Sequence, residues 1–317
     1  MRRRSFLLNA AGLAAVIAGG LWLKDNVLWR KPQLVFEAQS PWIALEQPAA
    51  SLPVIRLRVL GQPVLALIDS GAQYSVIDKA LAERLTQAGH IGKTFDMPMI
   101  AYGVGGQAQV GRGTTLSLDM DGVTVPSLRT AILDLGPLAR DADGPGVELI
   151  IGRDLLREAV VELDLPRRRV RFLDPQNWQA DLDMRVVATK PVGDALGVEV
   201  SVEGAVVSAV LDTGASSLLS LSEATAREAG ILDGRAEEAG QSLVLGGVAK
   251  ARWVEVSTLT FGDEMRRNER VAVFGDSPLP NYPDALLGIG AFRGRKLALD
   301  LGRMALFVEG QLDLTIS

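Results

Sequence analysis

The stretch VLALIDSGA at residues 64–72 returns in nearly the same order as VVSAVLDTGA at residues 206–215. In each copy an apolar run ends in an aspartate, a hydroxyl residue, a glycine and an alanine. The two aspartates, Asp69 and Asp212, are 143 residues apart. A continuous apolar run before a polar loop is typical of a strand that is covered on both faces. The repeat therefore predicts two similar units, each with one acidic loop behind a buried strand.

The repeat extends to both sides of these loops. An alternating run precedes each copy, at Ile55–Gly61 and Val198–Gly204, and predicts a strand that ends in a hairpin turn. A helical stretch follows each acidic loop, and a glycine-rich turn follows each helix. Further matching positions are the candidate helix N-caps Asp78 and Ser222, the helix-ending glycines Gly89 and Gly230, and the later loops Leu149–Gly152 and Ala285–Gly288.

We expect a mainly β protein with two pseudo-symmetric β-barrel lobes and a central cleft between them. The N-terminal lobe is expected over residues 32–174 and the C-terminal lobe over residues 191–310, which suits the size of small β domains. Residues 174–190 are the expected linker. We also expect a sheet between the lobes that includes residues 32–45.

Composition excludes several classes of chemistry. The chain has 317 residues, 33 Lys and Arg against 38 Asp and Glu, one histidine and no cysteine. It therefore has no cysteine nucleophile, no thiolate zinc site, no iron–sulfur cluster and no site built from several histidines. A net charge of −5 disfavours a nucleic-acid partner, since phosphate binding needs a basic face. We expect no metal and no cofactor, and chemistry that depends on carboxylates and hydroxyls.

The two acidic loops have a specific chemical use if they face each other. Asp69 and Asp212 would then share one proton, because two neighbouring carboxylates cannot both ionise easily. One carboxylate can take a proton from water while its protonated partner polarises a carbonyl oxygen. Gly71 and Gly214 allow a tight turn, and the hydroxyls of Ser70 and Thr213 can form hydrogen bonds across the loops.

These motifs resemble those of aspartic peptidases of the pepsin and retropepsin clan, and the details are closer to the retropepsin-like side. The resemblance covers residues 52–310 and extends to Gly152–Arg153–Asp154, whereas the second copy has Gly288–Ile289–Gly290. It implies hydrolysis of peptide bonds by water activated between Asp69 and Asp212. It also implies loop support by Ser70, Gly71, Thr213 and Gly214, and flaps at Tyr102, Gly103, Val104, Gly105, Gly106, Gly246 and Gly247.

The resemblance further implies an endopeptidase that binds a polypeptide substrate in an extended conformation. With both halves fused in one chain, we expect activity as a monomer. Exported bacterial proteins of the retropepsin-like type exist, and this chain is similar to a single-chain, tandem-lobe version of them.

The N-terminus predicts export. Arg2, Arg3 and Arg4 precede an apolar run at residues 6–23, which is the layout of a signal peptide. We expect residues 1–24 to be either a cleaved signal peptide or an N-terminal membrane anchor, because the run is long enough to span a bilayer. The sequence around Arg3–Leu7 also resembles a twin-arginine signal. The expected location is the periplasm, or the inner membrane with the chain facing the periplasm, and envelope proteins or peptides are the expected substrates.

Other interpretations remain open from the sequence. A catalytically inactive peptide-binding or scaffold protein could keep the same fold. A dinucleotide-dependent enzyme would use the loose G-x-G-x-x-A pattern at Gly103–Ala108, which requires a parallel βαβ unit there. Asp164 and Asp300 recur in both copies and are expected in turns or interlobe contacts. The basic run Arg167–Arg169 is expected to form a solvated turn.

Overall fold

The computed structural model describes residues 30–46, 52–91, 95–102, 108–139, 146–244, 247–275 and 283–310. The predicted signal peptide or anchor at residues 1–24 lies outside these ranges. Within them, no helix has the length and apolar character needed to cross a membrane. The described part of the chain is mainly β, as the sequence predicts.

Where it is described, the first half of the chain contains eleven strands and two short α-helices. A 3-10 turn at Gly136–Ala139 precedes the ninth strand. The strands are β1 (Val35–Phe36), β2 (Ile43–Ala44), β3 (Val54–Val59), β4 (Gln62–Ile68), β5 (Val76–Asp78), β6 (Phe95–Tyr102), β7 (Ala108–Asp119), β8 (Val123–Leu133), β9 (Leu149–Ile151), β10 (Val160–Asp164) and β11 (Arg169–Leu173). The helices are α1 (Lys79–Gln87) and α2 (Arg153–Leu156).

The described residues of the second half follow a similar order of elements, with one α-helix, α3 (Glu223–Glu228), and a 3-10 turn at Ile289–Phe292. Its strands are β12 (Met184–Val187), β13 (Thr189–Val192), β14 (Ala195–Val202), β15 (Ala205–Asp212), β16 (Leu219–Ser222), β17 (Glu237–Val244), β18 (Gly247–Phe261), β19 (Glu264–Phe274), β20 (Ala285–Gly288), β21 (Lys296–Asp300) and β22 (Ala305–Glu309).

Each half closes six strands into a barrel. In the first lobe the order is β8-β5-β9-β4-β3-β7, and pairing of β7 with β8 closes the ring. In the second lobe the corresponding order is β19-β16-β20-β15-β14-β18, closed by β18 and β19. The outer strands β1 and β6 extend the first sheet, as β13 and β17 extend the second. The predicted pair of pseudo-symmetric β lobes is confirmed.

A third sheet joins the two lobes. Its order is β12-β22-β21-β10-β11-β2, and the antiparallel pair β10–β21 at its centre brings one strand from each lobe together. The prediction that residues 32–45 enter this sheet is confirmed for β2, which pairs with β11. Strand β1 instead pairs with β8 of the first barrel. The N-terminal segment therefore contacts both the first barrel and the central sheet.

Local sequence signals explain several chain reversals. Leu60 and Gly61 have φ values of 50° and 81°, and Glu203 and Gly204 have 49° and 95°. Two consecutive positive φ angles define the hairpin turn that matches the twist of the flanking strands. The predicted N-caps also hold: Asp78 accepts a hydrogen bond from the backbone of α1, and the Ser222 side chain does the same for α3.

Most of the buried apolar residues form one large core that extends through both lobes and the central sheet, and the rest form three smaller clusters. In β3, buried residues alternate with the exposed Arg56 and Arg58, as a strand with one buried face requires. In β9 all three residues are buried, because the strand lies between β4 and β5. The acidic loops therefore follow strands that are packed into this core.

Four sequence interpretations have a clear outcome in the fold. The dinucleotide interpretation of Gly103–Ala108 is wrong, because the flanking strands β6 and β7 pair antiparallel and no helix follows. Asp164 and Asp300 end β10 and β21, and their side chains accept from the amides of Arg167 and Arg303 in the turns that follow, at 3.1 Å and 3.0 Å, in line with the expected turn role. Arg167 and Arg168 lie exposed in the turn between β10 and β11, as expected, whereas Arg169 begins β11 and pairs with Asp164. The segment interpreted as a linker contains β12, which pairs with β22, and the start of β13.

Candidate active site

Each acidic loop follows a strand inside its barrel. In the first lobe β4 pairs in parallel with β9, and Asp69 is the residue after β4. In the second lobe β15 pairs in parallel with β20, and Asp212 is the last residue of β15. The same local topology places one aspartate at the corresponding strand end of each lobe.

Four reciprocal hydrogen bonds join the two loops. Ser70 Oγ donates to the carbonyl oxygen of Leu211 over 2.8 Å and accepts from the amide of Thr213 over 3.0 Å. Thr213 Oγ1 donates to the carbonyl oxygen of Ile68 over 2.7 Å and accepts from the amide of Ser70 over 2.9 Å. Both side chains are fully buried. The contact predicted between these two hydroxyl residues is present, and it fixes one loop against the other.

The carboxyl groups of Asp69 and Asp212 are neighbours, and each acts on the pKa of the other. Asp69 Oδ1 also accepts from the amides of Gly71 and Ala72, at 2.8 Å and 2.9 Å. Among the described residues, Asp212 Oδ1 accepts one amide hydrogen bond, from Gly214 at 2.8 Å. Because amide donors stabilise the charged form of a carboxyl, Asp69 is the better site for the negative charge.

Each loop glycine lies directly against the aspartate of the other lobe. A Cβ placed on Gly71 would lie 2.6 Å from Cγ of Asp212, and a Cβ on Gly214 would lie 2.6 Å from Cγ of Asp69. Neither position has room for a side chain. The absence of a Cβ therefore lets the two carboxyls approach closely.

Burial raises the pKa of both carboxyls. For Asp69, burial is the largest cause, and the amide of Ala72, the Asp212 side chain, the amide of Gly71 and the charge of Arg153 oppose it. Burial also raises the pKa of Asp212 well above its usual range, and the negative charge of Asp69 raises it further. Both residues keep partly exposed surface, so the pair is accessible from one side. Raised pKa values in two neighbouring carboxyls favour a pair that shares one proton and titrates as a unit.

The arrangement supplies a proton acceptor and a proton donor on adjacent side chains. Such a pair can remove a proton from one atom and deliver a proton to another within the same complex. No group of three or more histidine, aspartate or glutamate side chains in the described ranges is placed to hold a metal ion.

The predicted flap residues are described only in part. Tyr102 is the last residue of β6, and Gly247 is the first residue of β18. Strands β6 and β7 form one antiparallel hairpin, and β17 and β18 form the other. The remaining predicted flap positions, Gly103, Val104, Gly105, Gly106 and Gly246, lie outside the described residues.

A second loop supports each acidic loop from behind. The amide of Arg153 donates to the carbonyl oxygen of Ala72 over 2.9 Å, and the amide of Ile289 donates to that of Ala215 over 2.8 Å. In the first lobe, Ser75 Oγ also donates to Asp154 over 2.7 Å. The resemblance between the Gly152–Arg153–Asp154 and Gly288–Ile289–Gly290 segments is thus one of backbone position, whereas their side chains differ.

Sequence reasoning did not single out Asp194, which precedes β14 and receives a hydrogen bond from the Arg153 side chain over 2.9 Å. At the offset of 143 residues, the corresponding residue of the first copy is Ser51, so the repeat gives no signal for it. An acidic residue in a turn between two strands is common on protein surfaces. Only the contact between the lobes identifies Asp194 as part of the site.

Comparison with known proteins gives a consistent family. The family model described as "Aspartyl protease" matches residues 55–155 and 198–291, which include both acidic loops and most of the chain. A curated relative is DNA damage-inducible protein 1 of Kluyveromyces lactis, 33% identical over 124 residues, or 39% of this chain and 27% of the relative. The chain thus spans about a quarter of that relative's length.

Two solved structures are also similar. A retropepsin-like aspartic protease from Rickettsia conorii is 20% identical, covering 42% of this chain and 96% of its own, with a TM-score of 0.31. Conglutin gamma, a basic 7S globulin from lupine seeds, is 11% identical, covering 88% of this chain and 95% of its own, with a TM-score of 0.48. The family assignment depends on the sequence match in both halves. By that match, this chain belongs to the aspartyl protease family.

Proposed function

We propose that the protein is an aspartic endopeptidase that hydrolyses peptide bonds with water activated between Asp69 and Asp212. The observation that supports this most strongly is the pair of neighbouring carboxyls, with one member from each lobe. The cross-loop bonds of Ser70 and Thr213 hold the pair in place before substrate binds. Preorganisation of this kind is what a catalytic acid and base need.

The difference between the two carboxyls assigns their roles. Asp69, which accepts two amide hydrogen bonds, is the charged base and removes a proton from a bound water. The water oxygen adds to the carbonyl carbon of the scissile bond while Asp212 gives its proton to the carbonyl oxygen. The resulting gem-diol then breaks its C–N bond, and the proton held by Asp69 passes to the leaving amine. Return of a hydroxyl proton from the gem-diol to Asp212 restores the pair.

The substrate class follows from the surroundings of the pair. We assign the hairpins β6–β7 and β17–β18 as flaps, with Tyr102, Gly103–Gly106, Gly246 and Gly247 at their ends. A polypeptide in an extended conformation would lie in the cleft between the lobes and pair with flap backbone as an added strand does. Recognition through main-chain groups favours an unfolded or flexible segment over a folded domain.

One chain supplies both aspartates, so the active species is a monomer. Specific activity should then be independent of protein concentration, whereas assembly of an active site from two chains would cause a steep loss on dilution. The charge and apolar pattern at residues 2–23 supports export to the periplasm or anchoring at the inner membrane. Envelope proteins and peptides are the substrates accessible in either place.

The test is cleavage of a peptide library by the full chain and by Asp69→Asn and Asp212→Asn variants. Each variant should lose activity by roughly 10²–10⁴-fold or more, because each removes one proton-transfer group. Asp121→Asn is the matched control: it makes the same change in an exposed turn at φ 38°, which asparagine tolerates, and should leave cleavage unchanged.

Circular dichroism should show the same fold in all four proteins. Wild-type cleavage rates in either Asp69→Asn or Asp212→Asn contradict the mechanism. A wild-type chain that binds peptides without cleaving them would instead identify a peptide-binding protein of the same fold.

A further inference from the structure

One arginine connects the first acidic loop to the second lobe. Arg153 Nη1 donates to the carbonyl oxygens of Ser70 and Gly71, at 3.0 Å and 2.7 Å. Its Nη2 donates to Oδ1 of Asp194 over 2.9 Å. The arginine side chain is 7% exposed and that of Asp194 is 47% exposed. The guanidinium therefore lies in the interior, while the acid that neutralises it lies at the surface of the other lobe.

This connection exists once in the described part of the molecule. In the second lobe Ile289 takes the backbone position of Arg153, with its amide bonded to Ala215 as that of Arg153 is to Ala72. Ile289 is buried in the apolar core. The pseudo-symmetric lobes thus differ in charge directly behind their acidic loops, and the positive charge is on the side of Asp69.

The charged groups around Arg153 are few. Asp194 also accepts from Arg157, the residue after α2, through its carbonyl oxygen and, at 3.5 Å, through Oδ2. Asp154 contacts Ser75 instead. On the other side of the loop are Asp69 and Asp212, and the positive charge of Arg153 lowers the pKa of both. The positive charge of Arg153 therefore lies between Asp194 at the surface and the carboxyls of Asp69 and Asp212.

We propose that the Arg153–Asp194 pair is a positioning device for the proposed reaction. It fixes the first acidic loop against the second lobe and sets how much positive charge acts on the Asp69–Asp212 pair. Arg153 binds the backbone carbonyls of the loop and touches no reacting atom, so it acts through Asp69. This inference rests on the proposed function. It assigns electrostatic control of the carboxyl pair to Arg153 and Asp194, whose contact the repeat does not predict.

The proposal predicts opposite effects from the two ends of one ion pair. Arg153→Gln removes positive charge from behind Asp69, so the pKa values of the carboxyl pair should rise. Asp194→Asn leaves Arg153 without its neutralising partner, so the same pKa values should fall. We expect each shift to be about 0.5–1 pH unit, because opposite charges at short range shift carboxyl pKa values by one or more units and the loop backbone separates these groups.

The experiment is the pH profile of kcat/KM for the full chain and both variants. We expect a bell-shaped profile with an acidic and a basic limb. Arg153→Gln should move both limbs to higher pH, and Asp194→Asn should move both limbs to lower pH. Arg153→Lys keeps the charge but loses the paired carbonyl bonds, so it should lower kcat and leave the limbs in place. Exposed Arg58→Gln and Asp121→Asn are charge-matched controls and should leave the profile unchanged.

A merely structural ion pair would lower activity in both variants without moving the limbs, and that result would overturn the proposal. Shifts of both variants in the same direction would also overturn it. The pKa values of the carboxyl pair are also measured without catalysis, by ¹³C NMR titration of labelled aspartate carboxyls. A wild-type chain that cleaves no peptide refutes the proposed function, while opposite carboxyl shifts in the two variants would still support the electrostatic coupling. Because Asp194 is half exposed, its variant should fold even if Arg153→Gln does not.

Discussion

The cross-loop hydroxyls give the most quantitative prediction, because Thr213→Val removes one oxygen and conserves the shape of the side chain. Two hydrogen bonds are lost: the amide of Ser70 loses its acceptor, and the carbonyl oxygen of Ile68 loses a donor. Each buried backbone group left without this partner costs about 1–3 kcal/mol. We therefore expect the free energy of unfolding to fall by about 2–6 kcal/mol, with no contribution from a cavity.

The assay is urea unfolding followed by circular dichroism, together with kcat/KM for a cleaved peptide. With a slope near 3 kcal/mol per M urea, the midpoint should fall by roughly 0.7–2 M. Activity should fall as well, since the loops lose the bonds that align Asp69 with Asp212. Thr124→Val is the control: this threonine is exposed on β8, and the change should cost less than about 0.5 kcal/mol.

The same network predicts coupling between its two members. Ser70→Ala removes the bonds to Leu211 and Thr213 and should cost a similar amount. The double variant should be less destabilised than the sum of the two single variants, because their bonds belong to one network. A Thr213→Val chain with an unchanged urea midpoint and unchanged kcat/KM would refute the inference that these hydroxyls hold the carboxyl pair together.

Three further changes test other parts of the site. Gly214→Ala places a Cβ 2.6 Å from Cγ of Asp69, so it should separate the carboxyls and abolish peptide cleavage while the circular dichroism spectrum stays that of wild type. Asp78→Ala removes the N-cap of α1 and the acceptor of the Leu135 amide, and it should lower the free energy of unfolding by about 1–3 kcal/mol in urea titrations. Burial raises the pKa of both active-site carboxyls, so the folded chain binds protons more tightly than the unfolded chain there. The stability contribution of the pair is therefore full below pH of about 3.9 and is lost as the pH rises through the folded pKa values, and Asp212→Asn should reduce that loss in unfolding measured across pH.

Much of each lobe could be predicted from sequence because the deciding signals are local. The positive φ angles at Gly61 and Gly204 and the caps at Asp78 and Ser222 depend on residues within a few positions along the chain. The acidic loops were predictable because the same residues recur at one offset. Agreement between the two copies separated this signal from ordinary turn residues, which alone predict little.

The contacts between the lobes could not be predicted in the same way. Strand β12 lies in a segment without apolar alternation, with exposed Arg185 and Val186, and it forms by pairing with β22 far along the chain. Strand β1 was expected in the central sheet, but it pairs with β8. The bond between Arg153 and Asp194 breaks the symmetry of the repeat. Each of these features depends on which surfaces meet after both barrels have closed.

The most direct measurement is a ¹³C NMR titration of aspartate carboxyls in the full chain, with Asp69→Asn and Asp212→Asn as difference references. If the two carboxyls share one proton, the pair should titrate in two separate steps, both above the ordinary aspartate pKa of about 3.9. It also predicts that Asp69→Asn lowers the pKa of Asp212, because the neighbouring negative charge is gone. Two carboxyls that titrate independently near the ordinary value, each unaffected by loss of the other, would contradict the pairing of the lobes' acids.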